Sequence, residues 1–250
     1  MPFLGDDGRP LDALRLAQRP ADGDRFDLLE AIAYVDPVSG ATYRVPVTGA
    51  PGTRATDLAS VPHPLWSFIA SYGRQSAPAV LHDHRSVLAE ELARTDRAAA
   101  LAQRREDDRV FLTALREQGV PRLRARLMWA WVSADRERTF GGVRGALFVV
   151  QSVIGVLAVI AGVVLAWWHP AWLLLPAAAV AAAFAWGRLA GLQAWLTVSG
   201  ALLTPVVVVH LVPLLLFRAV EALVELGAGG DPGGVVRPTV ARGDDGPAAR

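Results

Sequence analysis

"GALFVVQSVIGVLAVIAGVVLAWW", residues Gly145 to Trp168, runs for 24 residues without a charged side chain. A helix needs about 20 apolar residues to cross the hydrocarbon core of a bilayer, so this stretch predicts a transmembrane helix. His169 and Pro170 end it. "AWLLLPAAAVAAAFAWG", Ala171 to Gly187, is a second candidate, shorter and Ala-rich. "AWLTVSGALLTPVVVVHLVPLLLF", Ala194 to Phe217, is a third. Its Pro205 and Pro213 are tolerated in a membrane helix when neighbouring groups satisfy the freed carbonyls. Trp167, Trp168, Trp172, Trp186 and Trp195 stand at the ends of these runs, where interfacial aromatics are expected. The expectation is an apolar region over residues 145–217 with two or three spans (145–168, 171–187, 194–217). The short turn "WWHPAW" would close the first two into a hairpin.

Outward from this region the composition changes. Most of the charge lies in residues 1–142, and all basic side chains are Arg. The net charge of +1 offers no basic excess to pair with phosphates, so no nucleic-acid partner is expected. The chain has no Cys, which excludes disulfides, thiolate metal sites and a Cys nucleophile. The N-terminal "MPFLGDDGRPLDALRLAQRP" does not read as a secretory signal. Arg136, Arg138 and Arg144 precede the first span, and its hairpin turn has no cation. By the positive-inside rule the N-terminal part is expected to be cytoplasmic in a multi-pass protein of the cell membrane. The Gly/Pro-rich residues 226–250 are expected to be disordered.

Residues 1–24 lack periodicity and read as a flexible arm, followed by a soluble domain over residues 25–142. "FDLLEAIAYVDPVSGATYRVPV", Phe26 to Val47, predicts two strands around the turn "DPVSG", with Pro46 marking an edge. In "TDLASVP", Thr56 or Asp57 can cap a short turn. "LWSFIASYG" predicts a short apolar helix ending at Gly73. "SAPAVLHDHRSVLAEELART" has helical spacing at Val80, Val87, Leu88 and Leu92, with Pro78 suited to its first turn. "REDDRVFLTALREQG" gives a further helix with Val110, Phe111, Ala114 and Leu115 as its buried stripe. Pro121 opens "RLRARLMWAWVSADRERTFGG", a basic amphipathic helix leading to the first span. It is read either as a solvated helix or as a contact for anionic headgroups. The fold class is therefore α+β: a small soluble domain of a β-hairpin and about four helices, then helical spans.

The order of "VP", "TDLASVP", "LW", "YGRQSAPAVLHD" and "RREDDRVFLTALREQGVP" resembles the phage-associated domain-of-unknown-function family 1353, over roughly Phe26 to Gly141. Val45, Pro46, Thr56 to Pro62, Leu65, Trp66, Gly73, His82, Asp83, Asp108 and Phe111 fall on its pattern. The Thr-Asp-Leu-Ala-Ser-Val-Pro string is the specific part. Where the family has Leu-Tyr after His-Asp-x, this chain has Arg85 and Ser86. The resemblance brings no established activity with it.

Asp57, His82, Asp83 and Asp108 form the candidate catalytic set. His82 with Asp57 and Asp108 would suit a hard divalent metal or a general base acting on water, and hence peptide, ester or phosphoester hydrolysis. Successive helical residues point about 100° apart, so His82 and Asp83 cannot both face one small site. The structural alternative has Asp57 capping a helix, His82 bonding to that loop, and Asp108 paired with Arg105 or Arg109. Two functions follow. One is a membrane-anchored, phage- or prophage-type interaction or accessory module, whose partners are the lipid bilayer and other membrane or phage proteins. The other is a His/Asp- or metal-dependent hydrolase.

Overall fold

The computed structural model describes residues 2–19, 21, 25–59, 69–70, 72–230, 232 and 235. It is a mixed α+β chain, with five strands in two small sheets among these residues: β1 (Phe3–Leu4), β2 (Leu16–Gln18), β3 (Phe26–Leu28), β4 (Ile32–Val35) and β5 (Thr42–Val45). The α-helices are α1 (Ser76–Ala93), α2 (Arg97–Glu117), α3 (Arg122–Phe140), α4 (Gly142–Leu165), α5 (Leu174–Ala182) and α6 (Ala190–Ala228). The chain falls into two compact units. One comprises Met1–Val87, Glu117–Gly119 and Val208–Arg250; the other comprises Leu88–Arg116 and Val120–Val207.

In the first unit, β4 and β5 form the antiparallel hairpin expected around "DPVSG". Asp36 organises that turn. Its carboxylate accepts from the backbone N–H groups of Val38 and Ser39 and from the Ser39 hydroxyl. Gly40, at φ 71°, takes the left-handed position that glycine adopts without steric cost. The sheet order is β1-β4-β5, so β5 is an edge and Pro46 follows it, where a missing N–H costs nothing. The N-terminal stretch expected as an arm instead contributes β1 and β2. β1 pairs with β4, and β2 with β3. Phe3 is fully buried, with its ring 4.9 Å from that of Tyr34. Strands of two or three residues are too short to show a period in sequence. The helix expected over "LWSFIASYG" lies largely outside the described residues, as does most of the tail beyond Gly230.

In the second unit the expected stripe of α2 is buried at Val110, Phe111, Ala114 and Leu115. Asp96 caps α2 by accepting from the Ala99 N–H, so the helix begins well before the expected "REDD". α3 and α4 meet at Gly141 and Gly142, and α3 turns back against the start of α4. Gly145 lies directly on the backbone of Glu137, and Ala130 shares an apolar cluster with Phe148 and Leu192.

The apolar helices pack through notches. Gly155 of α4 admits Thr197 of α6, Gly200 of α6 admits Val156, and Gly162 of α4 admits Pro176 of α5. Gln151 donates to the Ala182 carbonyl and accepts from the Trp186 indole, while Ser152 donates to Gln193. Two helical runs, Gly142–Leu165 and Pro170–Ala228, are long and apolar enough to cross a membrane. The second is broken at Gly187 (φ 57°, ψ −115°), and the segments flanking α5 are 3-10 turns. A 3-10 turn rises about 2.0 Å per residue against 1.5 Å in an α-helix. Up to the break, residues 170–186 therefore reach roughly 30 Å although α5 itself has nine residues. His169 accepts from the Ala171 N–H at 3.2 Å and caps the first of these turns.

Candidate functional site

The specific signature string begins at Thr56, and the fold makes this residue a junction. Thr56 exchanges both backbone hydrogen bonds with Phe26, N to O at 2.9 Å and O to N at 2.8 Å, and so pairs antiparallel beside the start of β3. Its buried hydroxyl donates to the Asp83 carboxylate on α1 and accepts from the Leu58 N–H at 2.9 Å. The Thr56 oxygen therefore caps the local turn, as one of the two expected candidates. Leu58 is held at φ 62°, a conformation that an unbranched-at-Cβ but bulky residue adopts at a cost of about 1–2 kcal/mol. Its side chain is buried, which repays that strain locally.

The structure thus ties the signature string to the His-Asp pair through the Thr56 hydroxyl and the Asp83 carboxylate. Asp57 is half-buried beside the junction. His82 is buried, and its carbonyl accepts from the Ser86 hydroxyl one turn on. Asp83 and His84 are half-buried. Arg85, standing where the family pattern has an apolar residue, lays its guanidinium 5.2 Å from the centroid of the Tyr43 ring on β5. The cation over the ring face is attracted by the ring's quadrupole and links α1 to β5.

Replacing Thr56 with Val keeps the shape and removes the hydroxyl. That takes a donor from Asp83 and the acceptor from the Leu58 N–H. The expected loss is about 1–3 kcal/mol, read by thermal or denaturant unfolding in detergent. Unchanged stability would show that the junction does not hold the loop to α1.

Asp108 belongs to the second unit and is fully buried. Its carboxylate accepts from Arg136 and, at 3.1 Å, from the Ser133 hydroxyl, both on α3. Arg104, one helical turn earlier on α2, lies 3.6 Å from its other oxygen. Arg136 also donates to Glu137 at 3.1 and 3.0 Å. Arg105, one of the two partners the sequence suggested for Asp108, pairs with Glu137 instead, and Arg109 pairs with Glu106. Sequence reasoning missed Arg136 and Ser133 as partners. The i,i+4 pair of Arg104 and Asp108 on α2 and the i,i+3 pair of Ser133 and Arg136 on α3 were the available signal. By sequence Arg136 is a membrane-flanking cation. Buried and paired, it presents no free charge there, and Arg138 is itself paired with Asp135 at 2.8 Å.

Among the described residues no group of three or more His, Asp and Glu side chains is placed to hold a metal ion. The carboxylates of Asp83 and Asp108 accept structural hydrogen bonds, and Asp108 is also ion-paired. Residues 26–132 match the family model described as "Protein of unknown function (DUF1353)". The match takes in Thr56, Asp57, His82, Asp83 and Asp108 and stops inside α3, before Arg136 and short of Gly141. No curated protein and no solved structure matches the chain.

Proposed function

We propose, from the premise that residues 26–132 are a domain of this family, that the protein is an interaction or accessory module held at a membrane by its C-terminal helices. The observation that carries the reading is the exposed apolar surface of α4 and α6. Leu157 is 60% exposed, Leu202 70% and Phe217 63%, each among similar neighbours. Each such side chain left in water forgoes about 1.5–3 kcal/mol of burial. Soluble chains rarely expose contiguous apolar patches of more than a few hundred Å2. A bilayer removes that cost. The engagement of Thr56 with Asp83 and of Asp108 with Arg136 supports a role through contacts rather than turnover. The phage or prophage setting, with other membrane or phage proteins as partners, follows from the family resemblance. A cytoplasmic N-terminal part is supported by Arg144 ahead of the first span and by the absence of a cation in the turn after it.

Alkaline carbonate washing of membranes from cells expressing the full chain tests the anchor. The chain is expected to stay in the pellet and to leave it only with detergent. Recovery as a monodisperse protein in the detergent-free supernatant would overturn the anchor. Protease added to sealed vesicles of known sidedness reads the orientation, through cleavage at the exposed β4–β5 turn.

A further inference from the structure

We propose that the start of the apolar region carries an arginine collar that binds the anionic headgroups of phospholipids, formed by Arg122, Arg124, Arg126, Arg144 and Arg188. The proposal rests on the membrane reading above and names the lipid chemistry of that surface.

All five arginines are exposed, and none has a carboxylate partner among the described residues. The sequence explains this. No Asp or Glu occurs between Glu117 and Asp135, and none between Glu137 and Glu221. A soluble surface usually mixes both signs; here five cations stand without a counter-charge.

Their placement is the second observation. Trp129 of α3 and Trp186, in the turn before α6, both pack on the cluster of Ala130, Phe148 and Leu192. Trp186 meets Phe148 edge-on, with centroids 5.0 Å apart. Arg126 stands 5.7 Å from the Trp129 ring centroid, and Arg144 stands 5.9 Å from that of Trp186. Two Arg–Trp pairs therefore flank one apolar cluster, where the uncharged runs of α4 and α6 begin. Onward along α4, Val150, Val153, Ile154 and Leu157 are exposed and apolar. Tryptophan belongs at the headgroup level. A guanidinium stacked on an indole face keeps its edge N–H donors free, and those suit the paired oxygens of a phosphate. The collar thus presents donors at the depth where lipid phosphates lie.

Native mass spectrometry of the full chain in detergent, with equal phosphatidylglycerol and phosphatidylcholine added, tests this. The wild type is expected to retain phosphatidylglycerol preferentially. Each arginine near an anionic surface contributes roughly fivefold, so Arg126→Gln/Arg144→Gln should lose about 25-fold of the preference. Arg126→Lys/Arg144→Lys keeps the charge but loses the planar donor fork, and should fall between the wild type and the double Gln variant. Arg138→Gln, which removes an arginine already paired to Asp135, should leave it unchanged. Millimolar inorganic phosphate should not displace the lipid. Equal retention of both lipids, an undiminished preference in the double Gln variant, or displacement by phosphate overturns the collar. Carbonate washing of the same variants separates the two readings. Chains that stay in the membrane without lipid preference sink the collar alone, whereas a wild type released by the wash sinks the anchor and the collar with it.

Discussion

Replacing Asp108 with Ala is expected to destabilise the helical unit by about 3–5 kcal/mol, the range for breaking a buried ion pair from one side. Asp108 and Ser133 are fully buried, and Arg104 and Arg136 are nearly so. Removing the carboxylate leaves the Arg136 guanidinium away from water, with Glu137 as its remaining anion. Arg104 loses its i,i+4 partner in the same step. The cost is chiefly that of uncompensated charge. Asp108→Leu combined with Arg136→Met should therefore recover the Arg136 share of the loss but not that of Arg104, since apolar residues of similar volume often replace a buried pair without penalty. Thermal unfolding in detergent, followed by tryptophan fluorescence, gives the double-mutant cycle. A catalytic Asp108 would behave in the opposite way, with stability kept and turnover lost. Unchanged unfolding in the single variant would remove the ion pair from the account of this fold.

Gly145→Ala is expected to cost as much through a different cause. A Cβ on Gly145 would stand 1.7 Å from the Glu137 carbonyl oxygen and 2.7 Å from its carbon. The obstacle is main chain, so no side-chain rotation relieves it. Helix α4 must move away from α3, and the cluster of Ala130, Phe148 and Leu192 must open with it. The loss should reach about 3 kcal/mol, the upper end for overpacking. Gly191→Ala on α6 is the control, because nothing lies within 4 Å of that Cβ. There the change should be neutral or stabilising, by up to about 1 kcal/mol. Equal unfolding temperatures for the two variants would show that the α3–α4 contact is not tight.

The features legible in the sequence were those with a long period or a strong local device. The stripe of Val110, Phe111, Ala114 and Leu115 repeats at helical spacing, and the structure buries all four. The β4–β5 turn announced itself through Asp36, Ser39 and Gly40, each with one conformational task. What stayed hidden depended on pairing between distant segments. β1 and β2 are too short to carry a pattern and exist because β4 and β3 accept them. Thr56 was legible as a cap, but not its hydroxyl's reach to Asp83, which depends on how α1 packs. The sequence put the carboxylates and histidine of the candidate site forward because they are the usual chemical actors. It gave no means of seeing that Asp108 would be claimed by an arginine 28 residues further on.

The turned-back helix α3 also sets an order of events during synthesis. Ala130 emerges from the ribosome before Phe148 and well before Leu192, the two residues with which it shares a cluster. α3 cannot finish docking until α4 is made and the start of α6 has followed. Its apolar side must wait, either shielded or resting on lipid. A chain ended after Gly141 would keep that side bare. Truncation at the polar–apolar border is therefore expected to yield an aggregating fragment, and the shortest self-sufficient piece must run through Leu192.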